Sequence, residues 1–288
     1  MRSPVGIGRR ETGDPRGQHA LAQYDRIVHV GIILPNFGEH ASPAGVCAVA
    51  DAAEELGFDS VWATEHIIVG AEAVEPYGRV LDPLCTLSWL AGSTERIGLG
   101  TSIVLVPLHH PIRLAKEVAT LQELCGGRFR LGAGVGWHED EFRFMGVGFR
   151  DRGRRADEAL RLMRALWSGK RTFHGDYWSF ENATFEPLPS RVPEIWVGGG
   201  SDRAVRRTRE LGDVWHPTRG VGPDRVRDVK ERFPELRVVP RLSGGSADEI
   251  ASQAEDFRAA GCEGVVAGFA GEPTRAIEVM REFADRHR

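Results

Sequence analysis

From residue 27 to the end of the chain, short apolar runs alternate with longer stretches of helical periodicity, eight times over. The apolar runs are IVHVGIIL (27–34), DSVWAT (59–64), RIGLGTSIVLV (96–106), RFRLGAGVG (128–136), EIWVGG (194–199), DVWHP (213–217), LRVVPRL (236–242) and GVVAGF (264–269). Helical patterns fill most of the gaps: 42–57, 82–94, 111–127, 153–168, 202–211, 223–232, 246–260 and 273–286. The first is framed by Ser42 as N-cap, Pro43 at the first helical position and Gly57 as the stop. Strands joined by helices of this length must run parallel. Eight such units favour closure into a (β/α)8 TIM barrel, since closure leaves no edge strand exposed.

A chain of 288 residues suits one such domain, expected over 26–288. Residues 1–25 are polar and rich in Gly, Arg and Pro, without the apolar stretch of a secretory signal. They read as a flexible extension, or as the product of a start codon placed too far upstream. FHGDYWSFENATFEPLP (173–189) breaks the alternation and predicts a hairpin or lid inserted after the fourth strand. Net charge is −4, so no basic footprint for nucleic acid exists. Cys47, Cys85, Cys125 and Cys262 are far apart, with no CxxC pair, which fits a reducing cytoplasm. No apolar run reaches the roughly 18 residues of a membrane span.

In a barrel of this kind the chemistry sits where strands enter the loops that follow them. Those junctions carry Pro35-Asn36-Phe37-Gly38, Thr64-Glu65-His66, Gly100-Thr101-Ser102, Gly134-Val135-Gly136-Trp137-His138, Gly198-Gly199-Gly200-Ser201, Trp215-His216 and Arg241. Gly198 to Ser201 combine a glycine turn with a helix start. Free N–H groups and the positive end of the helix dipole suit a phosphate there. A tight turn that binds nothing is the plainer reading of the same residues. Glu65 and His66 form the candidate acid–base pair, because an imidazole is readily poised near neutral pH. His109, His110 and His174 suit solvated or packing roles better. Trp137 and Trp215 could stack on an aromatic ligand or lie in the core. Arg150, Arg152, Arg154 and Arg155 form a cluster from which sequence selects no anion ligand. HExxH, a strand-borne GxSxG, GxxxxGK[ST] and spaced metal ligands are all missing from the sequence, so no metal site is expected.

The blocks VGIILPNFGE, ADAAEELGFDSVWATEH, ERIGLGTSIVLVPLHHPIRLAKEVATLQELCGGRFRLGAGVGWHEDEF, RRADEALRLMRALWSG, FHGDYWSF and PEIWVGGGSDRAVRRTRELGDVW resemble, in order, the signature blocks of the luciferase-like monooxygenase superfamily. They are most similar to its actinobacterial branch assigned to coenzyme F420. The resemblance implies a deazaflavin at the barrel mouth, with FMN the alternative, and homodimers are frequent among such proteins. It implies that Glu65-His66 lies beside the reactive ring. It also implies that Thr101, Ser102 and Ile103 form a strand bulge with a cis Ser102–Ile103 peptide behind the ring. Gly136, Trp137 and Asp140 would then lie in the loop near the ring, and Gly198, Gly199, Gly200 and Ser201 would hold the cofactor phosphate.

One departure stands out. The sugar-phosphate dehydrogenases of the family carry a catalytic glutamate where this chain has Trp137, so glucose-6-phosphate is not the expected substrate. Glu139 and Glu141 follow closely but are expected to face away, one helical step on. The expected chemistry is hydride exchange between F420 and a small organic substrate, with His66 moving the proton. An FMN-dependent monooxygenase and a non-catalytic flavin-binding protein are the competing readings. An aldolase-type barrel is disfavoured, because no lysine stands at the strand ends.

Overall fold

The structure, a computed structural model, describes residues 29–218 and 220–287. The extension expected over residues 1–25 lies outside the described residues. Nine strands form the main sheet in the order β10-β11-β1-β2-β3-β5-β8-β9, with β4 beside β5. They are β1 (His29–Ile33), β2 (Ser60–Ala63), β3 (Gly98–Thr101), β4 (Val104–Leu105), β5 (Phe129–Gly134), β8 (Glu194–Gly198), β9 (Val214–His216), β10 (Arg241–Gly244) and β11 (Gly264–Phe269). Every pairing in this sheet is parallel. The remaining gap is bridged by backbone bonds: Trp215 N–H donates to Arg237 O (2.8 Å), Val239 N–H to Trp215 O (3.0 Å) and Arg241 N–H to Pro217 O (3.0 Å). The fold is therefore a (β/α)8 barrel.

The outer layer contains α1 (Pro43–Glu55), α3 (Pro83–Ala91), α4 (Pro111–Leu124), α6 (Arg152–Trp167), α7 (Asp202–Leu211), α8 (Pro223–Arg232), α9 (Ala247–Ala259) and α10 (Pro273–His287). Two short helices, α2 (Val74–Tyr77) and α5 (Glu139–Phe144), sit in loops at the C-terminal ends of the strands. Local chemistry starts the long helices. Ser42 Oγ accepts from Gly45 N–H at 3.2 Å, and Asp82 Oδ1 accepts from Cys85 N–H at 2.8 Å. Both are followed by a proline, whose missing N–H costs nothing in the first helical turn. Val46, Val49, Ala50 and Ala53 then bury one face of α1 at helical spacing. Each such valine contributes about 1.5–3 kcal/mol by burial.

Two expected strands are broken, each for a visible reason. The third, read as continuous over 96–106, divides into β3 and β4 at a cis Ser102–Ile103 peptide. The seventh, read over 236–242, pairs with β9 through Arg237–Val239 and becomes the regular strand β10 only from Arg241, with Pro240 between. Pro240 has no N–H to give a neighbouring strand, although its carbonyl accepts from Val266 N–H at 2.8 Å.

The expected hairpin forms as β6 (Phe173–His174) and β7 (Ser179–Phe180). Its turn is pinned to α6, where the Glu158 carboxylate accepts the N–H groups of Asp176, Tyr177 and Trp178 at 2.8–2.9 Å.

The barrel interior is a packed plug. Ile33, Trp62, Trp196, Val214, Val239 and Val266 fill it. The rings of Trp62 and Trp196 lie 4.5 Å apart, and His216 stacks on Trp62 at 5.5 Å. Ligands are thereby confined to the barrel mouth above this plug.

Candidate active site

At the C-terminal mouth, a cavity of about 390 Å³ is lined by Thr64, Glu65, His66, Tyr77, Ser102, Ile103, Leu105, Val135, Gly136, Trp137, Gly198, Gly199, Thr218 and Arg241. That volume falls within the usual range for small-molecule sites, about 300–1,000 Å³. Five different strand ends thus contribute, as the alternation implied.

One wall is the bulge between β3 and β4. Ser102 N–H donates to Ala63 O at 2.8 Å, and Ser102 O accepts from Arg241 Nη1 at 2.9 Å and Thr64 Oγ1 at 3.3 Å. Asn36, fully buried, braces Thr64 through both its N–H (2.9 Å) and its carbonyl (2.8 Å). The bulge needs glycine on β5. A Cβ at Gly132 would overlap the Thr101 carbonyl, and one at Gly134 would overlap the end of Ile103. Ile103 therefore reaches into the cavity as an apolar shelf. Beside it lies the glycine turn: a Cβ at Gly198 would press on Ile103, and Gly199 adopts φ +109°, a conformation side-chain-bearing residues rarely take. Trp215 Nε1–H holds the Gly199 carbonyl at 2.7 Å.

The imidazole of His66 is held by a residue expected to face away. Glu141, fully buried on α5, places Oε2 at 2.8 Å from His66 Nδ1, while its Oε1 accepts from Ile67 N–H at 2.6 Å. The reason is the lie of α5. This short helix turns Glu141 and Phe142 to the protein and leaves Glu139 and Asp140 outward. The carboxylate holds the Nδ1 proton, so Nε2 is the ring nitrogen left for the cavity. Tyr77 packs on His66 with ring centroids 4.2 Å apart, and Trp137 meets it edge-on at 5.8 Å. Trp137 is 57% exposed and forms the rim.

Glu65 is not the partner of His66. Its buried carboxylate accepts Leu105 N–H at 2.6 Å and meets His109 Nε2 at 3.0 Å. It fixes the chain after the bulge. Burial alone would push the His109 pKa down, but the hydrogen bond and charge of Glu65 outweigh it, and the net shift is upward. His109 is thus hydrogen-bonded to Glu65 inside the loop, the packing rather than the solvated of the two roles expected for it.

The other expected residues divide. Ser102, Ile103, Gly136, Trp137, Gly198 and Gly199 line the cavity with His66. Thr101 does not: fully buried, it donates its hydroxyl to Gly132 O at 2.8 Å. Asp140 is drawn off to Arg143 at 2.8 Å. Gly200 is not among the lining residues. Ser201 caps α7 by accepting from Ala204 N–H at 3.3 Å and lines an adjoining cleft of about 820 Å³. That cleft also holds Arg150, Arg152, Arg154, Arg203 and Arg206, and it shares Val135 with the first cavity. Arg152 is pinned to Gly136 O at 3.1 Å and Phe149 O at 2.9 Å. Trp215 is a core residue, as is His216 beneath the bulge. None of residues 173–189 lines the cavity, so the hairpin is not seen as its lid. Tyr77 escaped the sequence reading because it does not stand at a strand end, and Glu141 was set aside there as facing away.

A parallel barrel with a mixed aromatic and glycine-walled cavity at its mouth is the class of protein these features define. The chain belongs to the luciferase-like monooxygenase family, which it matches over residues 28–244. An F420-dependent glucose-6-phosphate dehydrogenase of Kineococcus radiotolerans is 32% identical over 255 residues, covering 85% of this chain and 70% of that relative. Among solved structures, an F420-dependent secondary alcohol dehydrogenase in complex with an F420-acetone adduct superposes with a TM-score of 0.78 at 16% identity, covering 91% of this chain and all of that one. The EDTA monooxygenase of Chelativorans sp. BNC1 superposes with a TM-score of 0.74 at 13% identity, over 91% of this chain and 93% of its own. Those two likenesses show a shared fold, one that serves dehydrogenases and monooxygenases alike.

Proposed function

We propose that the chain is an F420-dependent oxidoreductase that exchanges a hydride with a small organic substrate at this cavity. The observation that carries the reading is the Glu141–His66 pair, which aims a tautomer-fixed imidazole into the same cavity as the Ser102–Ile103 bulge and the Gly198–Gly199 turn. The choice of F420 rather than FMN is supported by the relative at 32% identity, which is named for F420.

The residues present suit such a group. Ile103, Leu105 and Val135 give a flat ring an apolar surface. The glycine turn brings backbone close to a ligand, and the arginine-lined cleft beyond Ser201 gives an anionic tail somewhere to lie. When bound, F420 supplies a two-electron hydride acceptor or donor. His66 Nε2 takes the hydroxyl proton as a substrate alcohol is oxidised at carbon, and returns it in the opposite direction. The buried Glu141 carboxylate stabilises the imidazolium formed in that step. Trp137 and Tyr77 shield the imidazole on the solvent side.

A panel of secondary alcohols, ketones and sugar phosphates, followed by the change in F420 absorbance, tests the reading. With the best substrate, His66→Ala should lower turnover about 10²–10⁴-fold and change F420 affinity little. Wild-type turnover in that variant removes His66 from the mechanism. Lack of any F420-linked turnover with bound FMN reverses the cofactor assignment.

A further inference from the structure

His216 is fully buried at the end of β9, and its two ring nitrogens have different partners. Nδ1 lies 2.6 Å from the Val239 carbonyl, and Nε2 lies 2.9 Å from Ser102 Oγ. A carbonyl oxygen only accepts, so Nδ1 carries the proton. Burial drives the pKa down, against the opposing pull of the Val239 carbonyl, and the nearby Arg241 charge adds to the fall, to about 4. The ring is therefore neutral at pH 7 and Nε2 is bare. Ser102 must then spend its hydroxyl proton on Nε2. Its N–H is already given to Ala63 O at 2.8 Å. Both donors of Ser102 are thus committed, and both point away from any ligand.

We propose that His216 is a positioning residue that sets the hydrogen-bond polarity of the Ser102–Ile103 bulge, so that Ser102 can offer the cavity lone pairs only. The bulge accordingly selects a ligand edge that presents an imide, amide or hydroxyl proton, and it rejects one that presents a carbonyl. Arg241 and Thr64 complete the clamp on the Ser102 carbonyl and keep the peptide plane from rotating. His216 itself transfers no proton. It lies beneath the bulge, among Trp62 and Trp196, and is not among the residues that line the cavity. The inference rests on the ligand-binding reading of this cavity, but its first test does not.

That first test is the imidazole tautomer. Nitrogen-15 NMR of the ligand-free protein at pH 7, with the His216 signal assigned through His216→Asn, should show a protonated Nδ1 and an unprotonated Nε2. An Nε2–H tautomer or an imidazolium overturns the proposal. The second test is a double-mutant cycle in F420 binding, read by fluorescence quenching. Ser102→Ala and His216→Asn should each weaken binding by up to about tenfold, the range of one hydrogen bond. Their combination should weaken it no further than the worse single variant. His216→Gln, which can place an oxygen near the Nε2 position, should bind F420 better than His216→Phe. Additive losses, or wild-type affinity in Ser102→Ala, refute the coupling. A general loss of packing would instead lower the melting temperatures of His216→Gln and His216→Phe equally and leave those two equal in affinity, which also counts against the proposal. If the wild-type protein fails to bind F420, the functional reading falls, while the tautomer measurement still decides the role of His216.

Discussion

Replacing Glu141 with glutamine takes one of two acceptors from a buried fork. The carboxylate serves His66 Nδ1 with one oxygen and Ile67 N–H with the other, at 2.8 and 2.6 Å. Glutamine has a single oxygen, so its amide N–H₂ must face one of those donors. If the oxygen stays with Ile67, the imidazole faces an N–H₂ group and must move its proton to Nε2. It then presents a donor to the cavity where an acceptor is needed. A wrongly fixed tautomer of this kind costs up to about 10⁴ in turnover, and losing a general base costs about 10²–10⁴. If the oxygen stays with His66, the part-buried Ile67 N–H loses its acceptor, which costs about 1 kcal/mol. A melting temperature lowered by about 2–4 °C per kcal/mol would follow. The assay is steady-state turnover by F420 absorbance beside thermal unfolding by circular dichroism. The expected result is at least a tenfold loss of kcat/KM or a lower melting temperature, according to which donor keeps the oxygen, with F420 affinity within about threefold of wild type, since Glu141 does not line the cavity. Wild-type turnover together with a wild-type melting temperature would refute the claim that Glu141 orients His66.

The other predictions concern the scaffold. Gly132→Ala would drive a Cβ into the Thr101 carbonyl, so a stability loss of about 1–3 kcal/mol or more is expected by thermal unfolding; a wild-type melting temperature would show that the bulge has room to spare. His216 and His29 are held neutral by burial, with pKa values pushed down to about 4 and about 3. Because the unfolded chain binds those protons first, their contribution is complete above pH 6.5 and is lost as pH falls through the folded values. For His216 this amounts to roughly 3 kcal/mol, and urea melts of His216→Asn should lose stability less steeply between pH 6.5 and 4 than wild type. Glu158→Ala should release the hairpin turn at a cost of roughly 2–3 kcal/mol while leaving F420 affinity unchanged; weaker binding at unchanged stability would instead make the hairpin part of the site's cover.

What the sequence made legible was local. The alternation of apolar runs and capped helices depends on neighbours a few residues apart, and it located all eight units. The Gly199 turn and His66 stand at strand ends, where barrel geometry gathers them; the Ser102–Ile103 bulge was implied only by the family resemblance, since the apolar pattern over 96–106 reads as one unbroken strand. The pairing of carboxylates with histidines was not legible. Glu65 is adjacent to His66 in sequence, but neighbouring residues on an extended segment point to opposite sides. It serves His109, 44 residues on, and Glu141 reaches His66 across 75 residues. The one hint was Phe142, whose bulk obliges one side of a short helix to face the protein and can carry its neighbour Glu141 inward. Pro240 was a readable stop within the seventh apolar run, because a residue without N–H cannot give a ladder bond. Asp140 does not line the cavity but pairs with Arg143, one turn along the same helix, a local partner that the sequence spacing offered.

Everything proposed for this chain requires that one bowl at the strand ends receive a deazaflavin with His66 at its side. Titration of the ligand-free protein with F420 and, separately, with FMN addresses it most directly. F420 should bind saturably in the micromolar range, FMN about tenfold or more weakly, and the two should compete for one site. Tight binding of FMN with none of F420, or binding of F420 that Gly198→Val and Trp137→Ala both leave untouched, would contradict it.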